Sequence, residues 1–179
     1  MIELVSACRP LSHPPIKDLL IDLSAFPDGW SGDTNGPGPM ARAPLWGKKS
    51  VESIEIFFYV YGSGAYEGIQ RFLDTQSAAE EFSRQLGIVF IETEFDTPWV
   101  IPDELNFESF SASRSYYACS QSEGIPWQEC AYIAQYGTYF VHFDTGMVPG
   151  YMSLDDFERV LQAIDDKMAK YADKDCLVK

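Results

Sequence analysis

Histidine is scarce in this chain: only His13 and His142 stand among 179 residues. Nucleophilic triads and many proton relays need an imidazole that titrates near neutrality, so this shortage disfavours them. His13 lies in a Ser-His-Pro-Pro segment, and His142 sits between Val141 and Phe143 in a strand-like run, where a hydrogen-bonded sheet histidine is the plainer reading. Basic residues are also few, 13 Lys and Arg against 27 Asp and Glu, for a net charge of −14. Such a balance repels phosphate backbones and anionic headgroups, and no basic cluster offsets it, so no nucleic-acid partner is expected. The acids are spread along the chain, as at Asp155, Asp156, Glu158, Asp165 and Asp166, the pattern of a solvated face. No apolar run approaches the roughly 20 residues that span a bilayer. Internal repeats and low-complexity tracts are absent as well.

The 4 cysteines include no C-x-x-C pair, which removes the usual zinc and redox spacings. Cys119 and Cys130 instead flank the turn-forming run Glu123-Gly124-Ile125-Pro126 symmetrically, inside two strand-like stretches. Antiparallel pairing would set them opposite each other at a separation that suits a disulfide. An oxidised pair points to an extracytoplasmic location, in the cell envelope or secreted. Cys8 has two readings. Val5-Ser6-Ala7-Cys8 has the form of a lipobox, which would make residues 1–13 the remnant of a lipoprotein signal and anchor the protein through lipid at Cys8, its only expected membrane contact. Only Met1 to Leu4 precede it, with Glu3 among them, so either Met1 is not the natural start or the match is accidental. The other reading pairs Cys8 with Cys176 and completes an even count.

Residues 14–179 read as one α+β domain. Residues 14–26 open on prolines and place Ile16, Leu19, Leu20 and Leu23 on one face, a short amphipathic helix. Glycine and proline dominate from Gly32 to Pro44, a long surface loop. Ile54, Ile56, Phe58 and Val60 alternate with Glu55, Phe57, Tyr59 and Tyr61, predicting a strand that turns at Gly62-Ser63-Gly64 and returns over 65–73. Ala78, Ala79, Phe82 and Leu86 recur at helical spacing within Thr75 to Leu86. Residues 88–112 show no clear period and read as an irregular excursion holding one short strand. Residues 113–120, 127–135 and 138–145 predict a meander, its last two strands joined at Tyr136-Gly137. Ser153 and Asp156 predict the cap of a long final helix whose stripe is Leu154, Phe157, Val160, Leu161, Ile164, Met168 and Tyr171. A single antiparallel sheet of five to six strands, built as hairpin, helix and meander and packed by helices, is the expected fold.

Several short patterns are weaker than they look. Gly62, Gly64 and Gly68 give G-x-G-x-x-x-G, a hairpin turn and not a dinucleotide loop. Ser31, Asp33, Asn35 and Gly36 copy the first half of a calcium loop, but its twelfth position is Arg42 in place of the bidentate glutamate. Glu92, Glu94 and Asp96 alternate, yet paired catalytic carboxylates usually converge from separate elements. No catalytic residue, cofactor or metal ligand is expected from these motifs.

Parity within the meander is more informative. Pairing Gln135 with Thr138 sets Tyr132 opposite Val141 and Cys130 opposite Phe143 on one surface, joined by Tyr117 and Cys119, which should be core. The other surface carries Tyr116, Ala118, Ala131, Ile133, Phe140 and His142, extended by Phe57, Tyr59 and Tyr61. That face is too apolar for open water. Either the proline-rich and irregular segments cover it, or it forms a groove with aromatic walls whose ligand contacts are Phe57, Tyr59, Tyr61, Tyr116, Phe140 and His142. A slip of one residue would exchange the two faces.

The segment Asp22-Leu23-Ser24-Ala25-Phe26-Pro27-Asp28-Gly29-Trp30 resembles the leucine-rich helix running into Leu-Pro-x-Gly-Trp that opens some small bacterial extracytoplasmic lipoprotein domains. Cys119, Cys130, Tyr136-Gly137 and the capped final helix are similar in order to such domains, and the architecture resembles PsbP/Mog1-like sandwiches. The resemblance implies a binding or assembly module with no catalytic residues to carry over. The expectation is therefore a non-catalytic envelope or secreted domain whose partner is a small molecule or an envelope protein. A carboxylate-dependent hydrolase and a structural or homo-oligomeric envelope component are the alternatives.

Overall fold

The computed structural model describes residues 14–40, 50–92, 97–121 and 123–172. The lipobox, Cys8, His13, Arg42, Glu94, Asp96 and Cys176 lie outside them. Strand β1 is Ser31–Gly32, β2 Glu52–Val60, β3 Ser63–Arg71, β4 Arg114–Ser120, β5 Glu129–Tyr136 and β6 Tyr139–Gly146. Helix α1 spans Thr75–Val89 and α2 Leu154–Ala172. The strands form one six-stranded antiparallel sheet in the order β1-β2-β3-β6-β5-β4. This is the α+β architecture the periodicities predict.

β2 and β3 are joined by Tyr61-Gly62, one residue earlier than predicted, because Val60 pairs with Ser63 and Gly62 takes a φ of +77° that side chains resist. β3 then pairs with β6, so hairpin and meander share one sheet. The chain must cross from β3 at the centre to β4 at the far edge. α1 starts that crossing, its Asp74 cap accepting from the Ser77 N–H at 2.7 Å. It buries Ala78 and Phe82 with Phe72, Ile133 and Phe140 against one face of the sheet. Leu86, expected in that stripe, is exposed; α1 has run past the hydrophobic patch by then.

The opposite face is the main core. Phe58, Ile69, Val141, Phe143 and Tyr132 project from the strands onto Phe157, Val160, Leu161, Ile164 and Met168 of α2. At the start of α2, Ser153 and Asp156 cap reciprocally: the Ser153 N–H and hydroxyl donate to Asp156 Oδ2 at 3.0 and 2.7 Å, and the Asp156 N–H donates to Ser153 Oγ at 3.2 Å.

Two expectations need correction. Residues 14–26 form no α-helix but two 3-10 turns, Ile16–Leu19 and Leu23–Ala25, with Leu23 exposed. Leu20 is extended, the Ile21 N–H is drawn to Glu67 Oε2 at 2.8 Å, and Asp22 Oδ1 takes the Ser24 N–H. Both bonds offer the backbone partners outside a helical ladder. The meander register also differs: Tyr136 pairs with Tyr139, so Tyr132 faces Phe143 and Cys130 faces Thr145. The turn is Gly137-Thr138, where Gly137 supplies a φ of +57°. The predicted register is off by two residues, so every side chain keeps its predicted face.

Cys119 and Cys130 are directly opposed, Cα atoms 4.1 Å apart, and form a disulfide. The excursion after α1 carries one isolated bridge, Val100 to Cys119, where a short strand is expected.

A groove on the α1 face of the sheet

Residues of one strand alternate faces, so the register lays the α1-side residues in rows across the sheet. One row runs Phe57, Tyr66, Asp144, Ala131, Ala118; the next runs Glu55, Gly68, His142, Ile133, Tyr116. α1 covers Ile133, Phe140 and Tyr116 but stops short of the β2, β3 and β6 ends of these rows. The uncovered area is a groove of about 920 Å³ walled on the helix side by Arg84, Ile88 and Val89, with Trp99 also in its lining. Glycines let neighbouring groups pack closely along it. Gly64 and Gly146 line the groove, and a Cβ on Gly68 would fall 2.2 Å from the Tyr66 hydroxyl, so the phenol leans into space that only glycine leaves.

The groove is aromatic and acidic. The Phe57 and Tyr66 rings lie 5.2 Å apart, and Tyr66 meets His142 edge-on at 5.4 Å. Tyr66 is hydrogen-bonded to Glu55, and burial, with Glu55 and Asp144 nearby, raises its phenol well above the ordinary value. His142 Nε2 is buried without a hydrogen bond, 3.3 Å from Asp144 Oδ2 but not aligned with it. Burial lowers the His142 imidazole to about 4, so it is neutral at physiological pH. Asp144 keeps nearly half of its side chain (48%) open to the groove. The surrounding protein and then Glu129 nevertheless push its carboxyl up to about 7. Arg84 lines the groove, yet it is held in a forked pair with Glu81, Nε to Oε2 at 2.8 Å and Nη2 to Oε1.

Of the predicted contacts, Phe57 and His142 line the groove. Phe140 is nearly fully buried beneath α1, and Tyr116 packs against Phe90 with ring centroids 4.8 Å apart. Tyr59 and Tyr61 are exposed, outside the lining. Tyr66, Asp144 and Glu129 were missed, although they share the parity of Phe57 and His142 and could have been found by continuing it onto β3, β5 and β6. Trp99 comes from the aperiodic excursion, which carries no such signal. The Asp33 to Gly36 segment is a local turn, the Asn35 N–H donating to Asp33 Oδ1 at 2.8 Å. Among the described residues no cluster of three or more His, Cys, Asp or Glu side chains is placed to hold a metal. No protein-family model, curated protein or solved structure matches this chain.

Proposed function

We propose that this chain is an extracytoplasmic, non-catalytic domain, of the cell envelope or secreted, that binds a small ligand or an extended segment of a partner in the groove beside α1. One observation carries the reading: the sheet face left open by α1 is neither filled nor flat, but a groove with Phe57, Tyr66 and Trp99 in its lining. The Cys119–Cys130 disulfide supports an oxidising compartment. No helix of the described residues is long and apolar enough to cross a membrane.

The test is an amide NMR screen with aromatic fragments spanning negative, neutral and positive charge, repeated on Phe57→Ala/Trp99→Ala. Shifts gathered at Tyr66, Ala131 and His142, weakened about tenfold in the variant, are expected. Shifts elsewhere, or none, would remove the groove as the binding site. Asp144 favours a second reading, a carboxylate-dependent hydrolase, because a carboxyl held near neutrality suits a general acid. Loss of hydrolysis in Asp144→Asn with fragment binding retained would select it.

A further inference from the structure

We propose that the groove is selective for an organic cation carrying an apolar body, the ammonium set against Asp144 and Glu129 and the body against Phe57, Tyr66 and Trp99. This rests on the ligand-binding reading above and adds the class of ligand.

Charge is the first argument. Glu129 and Asp144 lie on the same face of adjacent strands, diagonal neighbours two residues apart in register, so their carboxylates share one field. Among the described residues no lysine or arginine pairs with Asp144, and the neutral His142 Nε2 lies 3.3 Å from its Oδ2. Arg84, a cationic side chain of the lining, is held by Glu81 through two hydrogen bonds. Among the described residues an anion entering the groove would therefore meet two carboxylates and no available cation, whereas an ammonium would relieve the repulsion that Glu129 exerts on Asp144. The second argument is the wall. Phe57 and Tyr66 adjoin Asp144 in one row of the sheet, so a cation held there lies beside aromatic rings whose faces are electronegative. The net charge of −14 draws cations toward the molecule as a whole.

Three probes with one aryl body separate charge from shape: 2-phenylethylammonium, 2-phenylethanol and 3-phenylpropionate, each titrated against the full chain at fixed ionic strength with amide shifts read at Tyr66, Ala131 and Asp144. The ammonium should bind at least about tenfold more tightly than the alcohol. Asp144→Asn/Glu129→Gln, its fold checked by amide dispersion, should bring the ammonium to the alcohol's affinity and leave the alcohol's unchanged. Equal affinity of alcohol or propionate at these amides would overturn the cation class while the groove reading stands. Tight ammonium binding undiminished in the variant would overturn the role of these two carboxylates. Groove amides unmoved by all three probes would overturn both readings.

Discussion

Glu67 is a carboxyl with no exposure at all, on the α2 face of β3. Its Oε2 accepts from the Ile21 N–H at 2.8 Å, and its Oε1 has no partner. Burial pushes it up to about 8, and the Ile21 amide and the Lys167 charge offset only part of that rise. The unfolded chain releases this proton near the ordinary glutamate value of about 4.3. Between there and about 8 the folded state holds more proton than the unfolded state, so this group makes stability fall as pH rises through that window, and its effect is constant above it. Glu67→Gln keeps an acceptor for Ile21 and removes the ionisation. Chemical denaturation from pH 5 to 9 should show the variant gaining on the wild type, by a few kcal/mol at the alkaline end. Equal pH slopes for both proteins would mean that Glu67 ionises without cost. The same residue explains why the 14–26 segment defied its helical period: a buried acceptor 46 positions away claimed the Ile21 N–H, a tertiary demand invisible to local spacing.

At the scale of elements, β4 is an edge strand, paired with β5 on one side and met on the other by the isolated bridge from Val100 and by Thr97, whose carbonyl accepts from the Ser120 hydroxyl. The Cys119–Cys130 bond closes 11 positions of chain and ties that edge to the sheet. In the chain-entropy model a loop of that size contributes about 3 kcal/mol. Cys119→Ala/Cys130→Ala should lower Tm by about 6–12 °C, since each kcal/mol shifts a chain of this size by about 2–4 °C. A Tm unmoved in this variant, with the disulfide confirmed in the wild type by non-reducing peptide mapping, would contradict that role. The cysteine pairing was legible because symmetric spacing about a turn is local information. So were β2 and α2, whose periods of two and 3.6 residues extend over 9 and 19 positions. The register of the β5-β6 turn was not, because Tyr136 and Thr138 both border Gly137 and either pairing closes a short hairpin. Parity survived only because the difference was two residues.

Across the whole molecule the sheet separates two packing regions of unequal depth. On one side α2 buries Phe157, Val160, Leu161, Ile164 and Met168 completely; on the other, α1 contributes Ala78 and Phe82 to a small cluster with Phe72, Ile133 and Phe140. The groove belongs to the thin side, and it was only half legible: the apolar outer face could be foreseen from alternation, but not that a helix would cover just part of it. Its helical wall, Arg84, Ile88 and Val89, therefore hangs on the weaker contact. Truncation should expose the asymmetry. Phe157→Ala removes a fully buried ring from the main core and should cost about 3–5 kcal/mol. Phe82→Ala should cost less globally but free α1 to open locally. In hydrogen exchange, Phe82→Ala should lose protection first in α1, with β5, β6 and α2 retaining theirs, whereas Phe157→Ala should lower protection everywhere at once. Fragment affinity in the groove should fall with the α1 opening, because its helical wall is then populated only part of the time. Uniform loss of protection in Phe82→Ala would instead make α1 and the sheet one cooperative unit, and the groove as rigid as the core beneath it.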